Sequence, residues 1–170
     1  MLRLLLLRHA KSAWPEGVRD RDRPLAARGE RGAAAMGAYM AEQGLIPAHA
    51  LVSPARRTLE TWDIATRHWP AHQPPAFEDA IYEASTDALL GVIRGQSARS
   101  PLLLLGHNPG LEGLAALLLK RAHRAKVLPK YPTGALAVID LPVEDWSQVA
   151  TGEGTLERFV TPRALGVAKD

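Results

Sequence analysis

The segment LRLLLLRHA, residues 2–10, decides the fold of this chain. Residues 2–7 form a short apolar run that ends abruptly in polar residues, which is typical of a strand buried on both faces of a parallel sheet. Arg8 and His9 follow directly, and the run is too short to serve as the hydrophobic region of a signal peptide. We therefore predict that residues 2–7 form the first strand and that the protein is cytoplasmic.

Short apolar runs alternate with helical patterns along the rest of the chain. Further strands are predicted at residues 50–52, 102–105, 135–141 and 155–160. Helices are predicted at residues 30–43, 54–68, 86–94 and 109–118. Strands that alternate with helices predict an α/β fold, a three-layer α/β/α sandwich with a mostly parallel central sheet.

Local signals refine three of these elements. Ser53-Pro54 and Asn108-Pro109 each place a capping residue before a proline, which predicts an N-cap followed by the first helical residue. In the strand at residues 155–160, the side chains are expected to alternate between the two faces of the sheet.

The length and composition limit the classes to which the chain can belong. At 170 residues it is expected to be a single domain over residues 1–170, and the gaps between its motifs leave no room for a helical lid subdomain. The net charge of +3 favours anionic ligands. Because the chain has no cysteine, disulfides, thiolate metal sites and cysteine-dependent phosphatases are excluded.

Polar residues follow three of the predicted strands at the point where each strand ends. Arg8 and His9 follow the first strand, Arg57 lies shortly after the second, and His107 and Asn108 follow the third. Ligands of open α/β sheets bind beyond the carboxyl ends of the strands, so these side chains are expected to converge. Arginine forks bind phosphate oxygens, and helix N-termini add N–H donors. The pattern therefore predicts a site for a phosphoryl group.

Histidine is the nucleophile candidate, because the chain has no cysteine and no serine in a nucleophile-elbow motif. A neutral imidazole can attack phosphorus, and Arg8 and Arg57 are expected to lower the pKa of His9 by disfavouring its protonated form. Arg57 is preferred to its neighbour Arg56 because Arg57 shares one helix face with Ser53.

Four motifs of the chain carry a resemblance to a known family. They are Leu7-Arg8-His9-Ala10, Ser53-Pro54-x-x-Arg57-x-x-x-Thr61, Gly106-His107-Asn108 and the segment from Asp22-Arg23-Pro24-Leu25 to Gly29. Together they resemble the motifs of the histidine phosphatase superfamily, the phosphoglycerate-mutase-like proteins, over residues 4–118. The Arg-His-Ala, Asp-x-x-Arg-Pro-Leu and Gly-His-Asn-Pro runs and the short chain are similar to those of its SixA-type phosphohistidine phosphatases.

This resemblance implies a phosphoglycerate-mutase-like sheet in which one strand near the C-terminus runs antiparallel. It also implies that His9 becomes phosphorylated, that Arg8 and Arg57 hold the phosphoryl oxygens, and that His107 donates to the transferring group. The implied activity is that of a metal-independent phosphatase, and the lack of room for a lid predicts an open site. Its expected substrate is phosphohistidine on a protein, such as a phosphotransfer or phosphocarrier domain.

The need for a general acid separates the hypothesis of a phosphohistidine phosphatase from two alternatives. Hydrolysis of an oxygen ester needs a proton for the leaving alkoxide, and Glu83 is the candidate donor. The imidazole of a phosphohistidine leaves without a strong enzyme acid, so Glu83 would then be dispensable. The alternatives are a small-molecule phosphomonoesterase or mutase that uses Glu83, and a non-catalytic module that binds phosphoproteins. Arg23 and Asn108 are further candidates for substrate binding.

Other charged groups also have structural interpretations. Arg8 and Arg57 could instead be partners in ion pairs; the candidate carboxylates are Glu60, Glu83 and Glu112. The alternating charges at residues 20–23 are interpreted as a solvated loop. The basic cluster at residues 120–130 is interpreted as cations at a helix C-terminus, with a docking patch for an acidic partner as the alternative.

We predict no metal or other cofactor, because histidine-based phosphoryl transfer needs none. No nucleic-acid face is predicted, since the four tryptophans do not interleave with the basic residues. No membrane association is predicted, since no apolar stretch approaches about 18 residues. The expected partners are a phosphorylated protein or a small phosphate ester, and the expected state is a monomer or weak oligomer.

Overall fold

The first strand forms where the apolar run predicts it, and the remaining elements follow in α/β order. The computed structural model describes residues 1–169. Its strands are β1 (Leu2–Arg8), β2 (His49–Val52), β3 (Ala76–Phe77), β4 (Leu102–Gly106), β5 (Leu136–Leu141) and β6 (Thr155–Val160). Its α-helices are α1 (Ala27–Glu42), α2 (Arg56–Ala65), α3 (Thr86–Arg94) and α4 (Gly110–Leu118).

The strands form one sheet in the order β3-β2-β4-β1-β5-β6. β1 lies between β4, which is parallel to it, and β5, which is antiparallel to it. β2 is parallel to β3 and β4, whereas β6 pairs antiparallel with β5. The antiparallel strand expected near the C-terminus is therefore β5, and the other strands share one direction.

Two apolar clusters cover opposite faces of this sheet, as the side chains of β1 illustrate. Leu4 and Leu6 pack with residues of α3 and α4, whereas Leu5 and Leu7 pack with residues of α1 and α2. All four side chains are buried, and each contributes about 1.5–3 kcal/mol to stability. This arrangement confirms the predicted three-layer α/β/α sandwich.

The N-terminus of α4 packs against the loop that precedes α3. A Cβ atom on Gly110 would lie 2.3 Å from the carbonyl oxygen of Ala84, so this close approach requires glycine. The hydroxyl of Ser85 accepts the N–H of Ala88 at 3.1 Å and caps α3. Both contacts hold the loop at residues 83–85 beside the carboxyl end of β4.

The predicted start of α2 is wrong. The helix begins at Arg56 rather than at Pro54, and Ala55 is its N-cap. Ser53 does not cap it, because the Ser53 hydroxyl lies 2.7 Å from Nε2 of His107. The far end also differs, since α2 ends at residue 65 and residues 66–68 form a 3-10 turn.

α4 also begins later than predicted, at Gly110, with Pro109 as its N-cap. Asn108 nevertheless caps the helix from one residue further back, since its Oδ1 accepts the N–H of Glu112 at 3.2 Å. The longest helix is α1, with 16 residues. No helix within residues 1–169 is long and apolar enough to cross a membrane.

The regular alternation predicted for β6 is interrupted. The pairing register with β5 shifts between Val138 and Ile139, so that Leu156 and Phe159 pack in the same apolar cluster. Val160 packs in the opposite cluster. One extra residue in a strand moves every later side chain to the other face, which a simple pattern of two cannot anticipate.

Candidate active site

The carboxyl ends of β1, β2 and β4 meet at one edge of the sheet, beside a cavity of about 610 Å³. All the site residues predicted from the sequence line this cavity: Arg8, His9, Arg23, Arg57, Glu83, His107 and Asn108. The structure therefore brings these side chains together. The catalytic and binding roles of the individual residues remain predictions.

His9 is buried immediately after β1, with its Nδ1 2.8 Å from the carbonyl oxygen of Ala10. Because a carbonyl can only accept a hydrogen bond, Nδ1 carries the proton and the neutral ring keeps its lone pair on Nε2. The backbone N–H of Ala10 donates to the Thr61 hydroxyl at 3.0 Å, which ties this turn to α2. The local fold thus selects one tautomer of His9.

The ring of His9 is neutral at physiological pH. Burial, together with smaller effects of His107, Arg57 and Arg8, lowers the pKa of His9 to about 3 against an opposing effect of the Ala10 carbonyl. The arginines act in the direction predicted from the sequence, but burial is the largest cause.

His107 faces His9, with 5.2 Å between the ring centroids. Its Nε2 contacts the Ser53 hydroxyl, while its Nδ1 is buried without a hydrogen-bond partner among residues 1–169. When the Ser53 hydroxyl donates to Nε2, Nδ1 carries the proton and is left as an unused donor. Burial and the charge of Arg57 lower the pKa of His107 to about 4, so this ring is also neutral.

Arg8 also has a buried nitrogen without a hydrogen-bond partner among residues 1–169. One of its terminal nitrogens donates to the Tyr131 carbonyl oxygen at 2.8 Å, but its Nε is buried without a partner in the described part of the chain. Burial lowers the pKa of Arg8 below its ordinary value. An unpaired buried donor costs about 1–3 kcal/mol, and an oxyanion bound beside Arg8 and His107 would remove that cost.

Arg57, rather than Arg56, points into the cavity. Its buried guanidinium donates to the backbone oxygen of Asp20 at 2.8 Å and to the Asp20 carboxylate at 3.1 Å. Arg56 is exposed and pairs with Glu60 at 3.1 Å. Arg57 is thus in an ion pair, but its partner is none of the three glutamates considered from the sequence.

Asp20 is the site residue that the sequence analysis missed. Its carboxylate accepts hydrogen bonds from the Tyr82 hydroxyl at 2.5 Å, from Arg23 at 2.9 Å and from Arg57 at 3.1 Å. The same three groups, Tyr82 foremost, lower the pKa of Asp20 to about 2 against the opposing effect of burial. The interpretation of residues 20–23 as a solvated loop is therefore wrong for Asp20 and Arg23, although Asp22 pairs with Arg19 nearer the surface.

Arg23 holds the loop between β1 and α1 against the cavity. Its buried guanidinium donates to the Ser12 hydroxyl, to the Ala13 carbonyl oxygen at 3.1 Å and to Asp20. The exposed ring of Trp14 lies over this guanidinium, 3.2 Å from its central carbon. The signal that could have placed the loop was the spacing from Asp20 to Arg23 in the Asp-x-x-Arg-Pro-Leu run.

Glu83 lines the cavity with an exposed side chain that makes no hydrogen bond or ion pair to any residue in the described range 1–169. Its backbone has φ 51°, in the left-handed region. That conformation costs a non-glycine residue about 1–2 kcal/mol and is concentrated at functional sites. Glu83 is thus a free carboxylate held in a strained position at the site.

Asn108 lies on the cavity wall, but its amide is committed to the protein. Its nitrogen donates to the Tyr131 carbonyl oxygen at 3.1 Å, and its oxygen accepts the Glu112 N–H. The contacts of Asn108 are therefore those of a helix cap that anchors the neighbouring loop.

The cavity is lined by cationic, histidine and carboxylate side chains. No group of three or more His, Asp or Glu side chains within residues 1–169 has an arrangement that could hold a metal ion. The expectation of a reaction without a metal remains a prediction.

Comparisons with known proteins agree with this geometry. The family model of the histidine phosphatase superfamily, branch 1, matches residues 4–107. An uncharacterized protein of Mycobacterium tuberculosis is 32% identical over an alignment of 165 residues that covers 92% of this chain and 100% of that protein.

Two solved structures share the whole fold. One is a SixA protein of Agrobacterium tumefaciens, named as a candidate phosphohistidine phosphatase, with 30% identity and a TM-score of 0.81 over 95% of this chain and 98% of that one. The other is the protein histidine phosphatase SixA in complex with tungstate, with a TM-score of 0.78 over 96% of this chain and 99% of that one. At 21% identity the second likeness concerns the fold alone.

Proposed function

The chain belongs to the histidine phosphatase superfamily, and we propose that it is a metal-independent phosphatase that works through a phosphohistidine on His9. The observation that carries this proposal is the hydrogen bond from Nδ1 of His9 to the Ala10 carbonyl. It leaves the Nε2 lone pair of a neutral ring free in a cavity lined by Arg8, Arg57 and His107.

In the first step, Nε2 of His9 attacks the phosphorus atom of the substrate. A P–N bond to His9 forms as the bond to the leaving group breaks, and an imidazole leaving group takes up a proton from water. Arg8 and Arg57 hold the phosphoryl oxygens, since guanidinium groups match their geometry and charge. The unused donor of His107 adds a contact to the transferring group, where a fixed donor is most effective.

In the second step, water attacks the phosphoryl group on His9. The P–N bond to Nε2 breaks, inorganic phosphate leaves, and the neutral ring of His9 is restored. The low pKa of His9 keeps Nε2 unprotonated for the next cycle. Because two arginines and a histidine supply the positive potential and the donors, the cycle requires no metal ion.

We propose that the substrate is phosphohistidine on a protein. The loop between β1 and α1 contains one 3-10 turn, at Asp20–Asp22, and the loop between β3 and α3 contains another, at Asp79–Ile81. The structure describes both loops throughout and neither contains an α-helix, so the cavity stays open to a large substrate. The proposed single domain over residues 1–170 without a lid fits this opening. An imidazole leaving group also needs no strong enzyme acid. The likeness to SixA proteins named as phosphohistidine phosphatases supports the same substrate class.

Glu83 favours a second candidate function, the hydrolysis of a small phosphate ester. Its free carboxylate lines the cavity and could protonate a leaving alkoxide. We expect Glu83→Gln to lower turnover of an aryl or alkyl phosphate about 100-fold or more if Glu83 is that acid, and to leave phosphohistidine hydrolysis within about twofold. Equal loss on both substrates would contradict the claim that phosphohistidine hydrolysis needs no enzyme acid.

The proposal is tested by phosphate release from a phosphohistidine-bearing carrier protein and from an aryl phosphate, in the presence of a chelator. We expect release from the carrier by the wild type and none by His9→Ala. Release from the ester alone would favour the small-molecule phosphatase. Phosphate binding without release from either compound would favour a non-catalytic phosphoprotein-binding module.

A further inference from the structure

A second cavity, of about 260 Å³, opens beside the candidate active site. Five cationic side chains line it: Lys11, Arg28, Lys130, Arg163 and Lys169. No carboxylate from residues 1–169 lines it, and none of the five cations pairs with a carboxylate in that range. We refer to this feature as the cationic groove.

The cationic groove continues directly from the active-site cavity. Lys11 and Thr133 line both cavities, and Ala10, which follows the candidate nucleophile, lies in the wall of the groove. A macromolecule that places a phosphoryl group at His9 and extends past Thr133 therefore covers the groove. A small phosphate ester fills only the first cavity.

The charges of the groove have no partner in the described part of the protein. Four of these five cationic side chains are exposed, and the fifth, Arg28, is half-buried. Arg28 lies in the first turn of α1, where the helix dipole adds positive potential. Elsewhere on the surface Arg3 and Arg158 pair with carboxylates. Cations grouped without counter-charges repel one another, so an acidic partner surface lowers the electrostatic energy of this region.

We propose that the cationic groove docks an acidic surface of the phosphohistidine protein that His9 dephosphorylates. This inference rests on the proposed function and identifies how the substrate is recognised. The docking surface differs from the basic cluster at residues 120–130, because only Lys130 of that cluster lines the groove. Lys120 lines a separate cavity with Met1 and Asp140. No aromatic side chain among residues 1–169 lines the groove, so this part of the chain gives it no stacking platform of the kind found in single-stranded nucleic-acid sites.

The test uses two synthetic peptides, each with one chemically phosphorylated histidine. Glutamates flank the phosphohistidine in the first peptide and serines flank it in the second. We expect the wild type to hydrolyse the acidic peptide with a kcat/KM about tenfold higher, and raised salt to abolish that difference.

The triple variant Arg28→Glu, Lys130→Glu, Arg163→Glu should lose the preference for the acidic peptide. These side chains lie outside the active-site cavity, so turnover of an aryl phosphate and of the serine peptide should stay within about twofold. The matched control is Arg67→Glu, Arg99→Glu, Arg121→Glu, which reverses three exposed cations that do not line the groove. This control should keep the preference.

The outcomes separate the two proposals. Equal rates on the two peptides, or a preference that survives the groove variant, would overturn the docking surface and leave the proposed function standing. No release from either peptide, with the aryl phosphate still hydrolysed, would overturn the proposed function itself. Binding of a single-stranded oligonucleotide that is tighter than binding of the acidic peptide, and lost in the groove variant, would assign the groove to nucleic acid instead.

Discussion

At the scale of single residues, the surroundings of His9 make its ring a nucleophile. A carbonyl acceptor fixes its tautomer, and burial keeps its ring neutral. Two buried nitrogens without a partner among residues 1–169, Nε of Arg8 and Nδ1 of His107, belong to residues that line the same cavity, and Nδ1 is a donor when the Ser53 hydroxyl donates to Nε2. An oxyanion that accepts hydrogen bonds from both nitrogens therefore binds more tightly than one held by charge attraction alone.

Replacement of Arg57 tests whether the cavity needs a planar guanidinium group. We expect Arg57→Lys to lower kcat/KM for phosphohistidine about 100-fold, because lysine cannot contact Asp20 and two phosphoryl oxygens in one plane. The matched control is Arg56→Lys, which changes an exposed residue paired with Glu60 and should stay within about twofold. Steady-state phosphate release measures both; equal effects would contradict the assignment of Arg57 to the cavity.

The sequence was sufficient to find the residues that follow the strands and insufficient for the loop between β1 and α1. Arg8, His9 and His107 are located by the ends of apolar runs, so their convergence could be predicted. Asp20 was missed because its inward position depends on contacts with Tyr82 and Arg57 from other elements. Alternating charge alone does not distinguish such a loop from a solvated one.

At the scale of elements, the junction of α4 with the loop before α3 shapes the cavity. A methyl group at Gly110 would collide with the Ala84 carbonyl oxygen, which is backbone and cannot rotate away. We expect Gly110→Ala to lower the free energy of unfolding by about 1–3 kcal/mol. We also expect lower turnover, because a shift of α4 moves His107, whose carbonyl oxygen accepts the N–H of Leu111 at 3.0 Å. Chemical denaturation and phosphate release measure these effects.

Gly91 in α3 provides the control for that substitution. Nothing lies within 4 Å of a Cβ atom built there, and the residue is an exposed helical position. Gly91→Ala should therefore raise the free energy of unfolding by about 0.5–1 kcal/mol without changing turnover. A Gly110→Ala protein as stable as this control would contradict the close packing of α4 against the loop.

Elements were predicted well where their burial is uniform and poorly where tertiary contacts compete with local signals. β4 is apolar almost throughout and was located correctly. Ser53 carries a strong capping signal, yet its hydroxyl contacts His107 and the helix starts later. β3 has only two residues, which is too few for a periodic pattern.

At the scale of the whole molecule, the sheet order could not have been derived from periodicity. Apolar runs identify strands but carry no information on their neighbours, so the antiparallel direction of β5 was available only from the family resemblance. The layered architecture could be predicted, because alternating strands and helices can cover both faces of a sheet in few ways.

Two buried neutral histidines make the stability of the whole protein depend on pH. The pKa of His9 is about 3 and that of His107 about 4, both below the ordinary value near 6.5. The unfolded chain therefore binds more protons than the folded protein as pH falls below about 6.5. The free energy of unfolding is therefore highest above about pH 6.5 and falls by about 2 kcal/mol per histidine at pH 5. The loss continues until pH reaches the folded pKa, about 4 for His107 and about 3 for His9.

Urea unfolding between pH 8 and pH 5 in phosphate-free buffer measures this loss. The variant His9→Asn, His107→Asn should show a flatter dependence over the same range. The depressed pKa of Asp20 does not interfere, because that carboxylate loses its contribution only as pH falls below about 4. Parallel curves for the wild type and the variant would contradict the buried neutral state of the two rings.

The central claim is that the phosphoryl group passes through His9, and rapid quenching during turnover of a phosphohistidine-bearing protein tests it most directly. We predict an acid-labile, base-stable phosphoryl group on the peptide that contains His9, detected by mass spectrometry after a base quench. We also predict that His9→Ala shows neither this group nor release of phosphate. A phosphoryl group on another residue, or phosphate release by His9→Ala at the wild-type rate, would contradict the account.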